Sequence, residues 1–135
     1  MTQQATTPFL ATSASAMLGL GAPIVQVYDV TALTVAGPTT ITLTWPNPIT
    51  KGRLRIKSSG VNAVSTIALA GLTGSDGTNT VLLKPALEPA TAAGQNFDNS
   101  WEIISDLQLT SLSFAATIGG ATTTATINSE FFANP

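Results

Sequence analysis

The chain has 135 residues, 44% of them apolar and only 9% charged, with a net charge of −2 and neither cysteine nor histidine. That length fits one domain able to bury roughly two-thirds of its unfolded surface, and the apolar fraction argues against disorder. The two missing residue types exclude disulfides, thiolate chemistry, zinc sites with Cys or His ligands and a Ser-His-Asp triad. Typical soluble domains carry roughly 25% charged residues, so here Thr, Ser, Asn and Gln must supply most of the polar surface. A surface of neutral hydroxyls suits faces that partners cover, or a secreted or virion setting, better than a freely diffusing enzyme.

Residues 1–23, "MTQQATTPFLATSASAMLGLGAP", have no clean period and read as an extended N-terminal arm. The first basic residue is Lys51, and Thr and Ser dilute the apolar stretch. A secretory signal needs a basic start and a solid apolar run, so the arm is expected in the mature chain. No stretch approaches the ~20 apolar residues of a membrane span.

Residues 24–135 read as a single domain. "IVQVYDV" is β-branched, follows Pro23 and predicts a first strand. "TTITLTW" alternates, with Ile41, Leu43 and Trp45 on the core face and Thr40, Thr42 and Thr44 on the wet one. The two prolines of "PNPITKG" predict a loop. A strand over 51–57 follows, with Leu54 and Ile56 inward. "VSTIALAGL" and "TVLLK" are partner strands around "TGSDGTNT", where Asp76-Gly77 is a favoured hairpin pair. "PALEPATAAGQNFDNS" reads as a connection, and "WEIIS", "LQLTSLSFAAT" and "ATTTATI" as further strands. Between Leu109 and Leu112 the apolar parity shifts, which predicts a β-bulge or a strand buried on both faces. "NSEFFANP" reads as a C-terminal tail. Phe131 and Phe132 cannot both face inward from one strand, so at least one is expected to meet another chain or the arm. The sum is an all-β antiparallel β-sandwich or jelly roll of about eight strands, with a closed barrel as the alternative.

Four of the five basic residues, Lys51, Arg53, Arg55 and Lys57, recur at every second position. They form a row about 20 Å long on one strand face. The rest of the chain has Lys84 against seven acids. One reading is a solvated outer face that discourages stray pairing, with Glu102 and Asp106 as cross-strand counter-charges. The other is an interchain contact with an acidic partner, such as the acidic face of a neighbouring copy. Nucleic acid is not expected as a partner: four cations without interleaved aromatics fall short of a phosphate-tracking field.

No catalytic, metal-binding or cofactor-binding residue is assigned, and the chain is expected not to be an enzyme. Carboxylates are the only acid-base groups, among them Asp29, Asp76, Asp98, Glu102 and Asp106, and their spacing indicates no glycosidase pair. Turn chemistry accounts for Asp76 and Asp98. "TGSDGTN" brings a single acid, few for Ca²⁺. Trp45, Trp101, Phe97 and Tyr28 are the aromatics that could stack on a sugar ring; Trp45 shares the inward face of its strand and belongs to the core. Trp101 and Phe97 lie at a loop–strand junction and are the candidate glycan contacts if the chain is a carbohydrate-binding or adhesion module of a tail or surface fibre.

Within Thr40 to Leu83, "LTGSDGTNTVLL" resembles the hairpin of discoidin-type, galactose-binding jelly rolls. Thr80 stands where an aromatic is usual there, so no sugar site is carried over. The whole chain resembles small structural proteins of tailed bacteriophages, head decoration (cement) proteins in particular. The likeness lies in a short cysteine-free chain, a Thr/Ala/Gly-rich β-domain, the arm-like "TQQATTPFLATSASAMLGLGAP" and the hydroxyl-rich "ISDLQLTSLSFAATIGGATTTATI". It implies a non-enzymatic virion protein that binds the outside of an assembled shell, often as a trimer, and bridges capsomers against internal pressure. The implied partners are the major capsid protein, other virion proteins and further copies of the chain, with no cofactor. Lys51, Arg53, Arg55, Lys57, Phe9, Leu10, Phe131 and Phe132 are the expected interchain contacts.

Overall fold

A computed structural model describes residues 25–88, 92–120 and 124–133, and the strand backbone of 3–4 and 9–10. Two dipeptides, β1 (Gln3–Gln4) and β2 (Phe9–Leu10), precede six longer strands. These are β3 (Val25–Leu33), β4 (Gly37–Ser59), β5 (Thr66–Ser75), β6 (Thr80–Glu88), β7 (Asp98–Gly119) and β8 (Ala125–Ala133). All pair antiparallel in one hydrogen-bonded sheet of order β1-β3-β8-β4-β7-β5-β6, with β2 also on β3, and there is no helix among the described residues. The all-β antiparallel expectation holds.

The expected eight short strands become six long ones because two pairs merge. "TTITLTW" and the basic stretch are one 23-residue strand, β4. "WEIIS" and "LQLTSLSFAAT" are one 22-residue strand, β7. The expected loop at "PNPITKG" is therefore strand, and its prolines are tolerated for a specific reason. From Thr44↔Ser111 to Ile49↔Leu109, β4 advances five residues while β7 advances two. From there to Lys51↔Ile104 the counts reverse. Pro46 and Pro48 fall in this lapse, where there is no ladder bond for a missing N–H to break. Beyond it the ladder resumes in its original register, so Leu43↔Leu112 and Arg53↔Glu102 are in phase.

Both strands change their buried face at this lapse. In β4 the inward residues go from Ile41, Leu43 and Trp45 to Leu54 and Ile56; in β7 they go from Ile103 and Leu109 to Leu112, Phe114 and Ala116. The shift expected between Leu109 and Leu112 is thus shared by both partners. β5 makes a smaller version of the move. Gly71, in the left-handed region at φ 67°, sits in a register shift between Ala70 and Thr73 and carries the buried set from Ile67 and Leu69 to Leu72.

One apolar cluster fills the interior, and aromatics close it at the lapse. Trp45 stacks on Phe131 with centroids 4.6 Å apart, and its Nε1 donates to the Leu109 carbonyl at 2.8 Å. Gly52 lies beneath. A Cβ there would stand 2.5 Å from the Phe131 ring and 2.7 Å from the Phe132 carbonyl oxygen, so only glycine admits the ring. Asn128–Ala133, read from sequence as a tail, is instead part of β8, between β3 and β4.

Candidate interaction face

The four cations stand where the alternation puts them. Lys51, Arg53, Arg55 and Lys57 are all exposed, while Leu54 and Ile56 between them are buried. In this half β4 is an inner strand, with β8 on one side and β7 on the other. The stripe is therefore the middle of a four-strand outer face built from β3, β8, β4 and β7.

Register arranges that face in rows. Gln26, Phe132, Arg53 and Glu102 form one; Tyr28, Glu130, Arg55 and Ser100 the next; Val30, Asn128, Lys57 and Asp98 the third. Lys51 sits opposite Ile104. Read across strands, a cationic column lies between Glu130 on β8 and the Glu102 and Asp98 positions on β7. Three large apolar side chains are well exposed here, Tyr28 at 49%, Phe132 at 40% and Ile104 at 69%.

One ion pair is fully formed. Arg55 Nε donates to Asp98 Oδ1 at 2.9 Å and Nη2 to Oδ2 at 2.7 Å, a bidentate fork. That hydrogen bonding holds the Asp98 carboxyl below the ordinary carboxylate range, with desolvation opposing it and the charges of Arg55 and Lys57 adding to it. Arg55 is raised in turn, chiefly by the same bond. Both side chains are about half exposed, so the pair adds little to stability. Gln26 Nε2 also donates to Glu130 Oε2 at 3.3 Å.

The expected counter-charges are half right in place. Glu102 lies directly opposite Arg53, whereas Asp106 falls in the β7 residues that leave the ladder and has no stripe partner in register. Asp98, assigned to a turn, begins β7 and grips Arg55. The signal was present: Asp98, Ser100 and Glu102 alternate as the stripe does. Glu130 was overlooked because nothing in its own strand pointed at β4, and Tyr28, weighed only as a sugar-stacking aromatic, falls in the same row. Shallow depressions flank β8 on this face. One of about 190 Å³ is lined by Tyr28, Val30, Arg55, Lys57, Asn128 and Glu130. Another of about 260 Å³ is lined by Lys51, Arg53, Glu102 and Phe132.

Other assigned residues are placed as follows. Phe131 is fully buried against Trp45 and offers no surface to another chain, while Phe132 points outward, so the adjacent pair does split between faces. The backbone of Phe9 and Leu10 pairs with Gln26 and Val25 of the same chain, and that of Gln3 and Gln4 with Thr31 and Val30; the rest of the expected arm lies outside the described residues. Trp101 and Phe97 are partly buried against the core. At the β5–β6 turn, Asp76 Oδ1 accepts from the backbone N–H groups of Thr78 at 2.8 Å and Asn79 at 2.6 Å, and those bonds, Asn79 first, lower its pKa. That oxygen serves the turn. Asp29 is buried on the opposite side of β3 and accepts from Thr31. Among the described residues no three His, Cys, Asp or Glu side chains gather in a metal-binding group.

No protein-family model matches the chain, and no curated protein matches it in sequence.

Proposed function

We propose that this chain is a non-enzymatic structural protein that works by docking, with the outer face of β3, β8, β4 and β7 as its contact surface. The observation that carries the reading is the composition of that face. It gathers four of the chain's five cations, three of its seven acids and three exposed large apolar side chains on one rigid platform. Rigid, centrally held strands lose little entropy on binding, and interspersed charges give register and on-rate more than raw affinity.

The specific form of the reading is a capsid decoration protein of a virion, stabilising the head by bridging neighbouring subunits. Weak contacts repeated over many copies give avidity without one tight site. We read the architecture that serves this role as a β-sandwich, in which the switch of buried face along β4 and β7 lets one ribbon serve two packed layers. The test is co-sedimentation with purified empty phage heads, comparing the native chain with a K51Q/R53Q/R55Q/K57Q variant. Binding lost in the variant supports the reading. Equal binding by both, or none by the native chain, removes it.

A second reading, a glycan-binding module, is favoured by one observation: Tyr28 walls the smaller depression beside Asn128, Glu130 and Arg55, an aromatic next to polar groups. It expects Tyr28→Ala to abolish any hit on a glycan array. An array without hits discards it.

A further inference from the structure

We infer that the outer face is self-complementary and takes a second copy of the same chain across a two-fold axis parallel to its strands. This rests on the reading of that face as a docking surface, and goes further by naming the occupant and its geometry. Such an axis, placed midway between β8 and β4, sets β4 of each copy over β8 of the other and keeps every row opposite itself. Arg53 then faces Phe132, Arg55 faces Glu130, and Lys57 faces Asn128, each contact made twice. The three are a cation over an aromatic ring, an ion pair and an ammonium on an amide oxygen, with no like charges opposed. Packed sheets keep their strands within about 30° of each other, so row matching holds best near the axis, where these six residues lie.

The alternative symmetry fails on charge. A two-fold axis in the same plane but across the strands sets β4 on β4, cations on cations, and that repulsion excludes it. The charge pattern therefore selects an orientation as well as a partner. Size sets the strength. Four strands at about 4.8 Å and three rows at about 6.8 Å give a face on the order of 400 Å² per copy. Stable interfaces bury roughly 800 Å² per partner, so this dimer belongs with the weak, transient contacts.

The experiment is sedimentation equilibrium of the full chain from 10 μM to 1 mM loading, in 50 and 500 mM NaCl, with circular dichroism to confirm folding. The expected results are a monomer–dimer equilibrium weakened at least tenfold by the higher salt, by R55E and by F132A, and regained in the double swap R55E/E130R. Phe132→Ala changes an exposed side chain without altering charge and keeps the test open if a charge reversal misfolds. A chain monomeric at 1 mM in low salt overturns the inference, as does a dimer indifferent to both variants or one the double swap fails to restore. If the chain stays monomeric but the four-glutamine variant loses head binding, the dimer is wrong and the docking surface stands. If neither is seen, both readings fall.

Discussion

The two halves of the β4–β7 ribbon share one ladder and one register but show opposite outer surfaces. Where Thr40–Thr44 pairs with Ser111–Ala115, the outward side chains are hydroxyls and a methyl, and Thr42 Oγ1 and Ser113 Oγ bond each other at 3.0 Å. Where Lys51–Lys57 pairs with Asp98–Ile104, the outward side chains are mostly ionic. The backbone does not explain the difference, since each half is antiparallel pairing in the same phase. What differs is the work left to the side chains. The hydroxyl half carries no charge and bonds Thr42 to Ser113 within itself, while the charged half keeps more cations than its acids neutralise. One half is finished as a surface and the other is equipped to meet something.

The largest expected effect attacks the seam that joins the halves. Phe131→Ala removes the ring stacked on Trp45 and should cost about 3–5 kcal/mol by chemical denaturation. A loss near zero would mean the halves are held independently. Gly52→Ala pushes a methyl into the same ring and the Phe132 carbonyl, and should cost about 1–3 kcal/mol. Trp45→Phe keeps the stack but strips the donor from the Leu109 carbonyl, for about 1 kcal/mol in the same assay.

Smaller effects separate the surfaces themselves. Arg55→Ala should leave the melting temperature nearly unchanged, because its ion pair is exposed, yet weaken self-association. Thr44→Lys on the finished half should change neither, and a clear shift in association there would erase the contrast. The smallest effect is in acid. Asp98 and Asp76 both have folded pKa values below the ordinary carboxylate value of about 3.9, so their stabilisation is complete above it. It is lost as pH falls through the lowered values. Thermal melts from pH 5 down to 2 should show a decline that D76A/D98A flattens; an identical decline in that variant would assign acid lability elsewhere.

Alternation made much of this legible. The inward set of β4, the outward stripe and the Asp76 hairpin all follow from period two and turn chemistry. The merging of strands did not, because prolines at 46 and 48 normally end a ladder, and only the partner's matching lapse at 105–108 excuses them. The face escaped for a related reason. Which strand lies beside the stripe is a pairing across some 75 residues for Glu130 and 43 for Asp98, and a single strand's pattern does not encode its neighbour. Phe131 and Phe132 show the boundary well: their split between faces was legible, but which one faces inward depends on a glycine in another strand.

The place of β8 in the strand order has a consequence for synthesis. β8, which follows every other described strand in chain order, is the hydrogen-bonded link between β3, the first long one, and the rest of the described sheet. Until residues 125–133 emerge, β3 has no hydrogen-bonded partner among the longer described strands, and that edge waits unpaired. Folding of the sheet is therefore expected to complete only once β8 has emerged, slowly for the size of the sheet because its decisive pairings are distant in sequence. A nascent chain stalled at residue 124 should be protease-sensitive in β3, which makes the interval before β8 arrives the time when this protein most depends on chaperones.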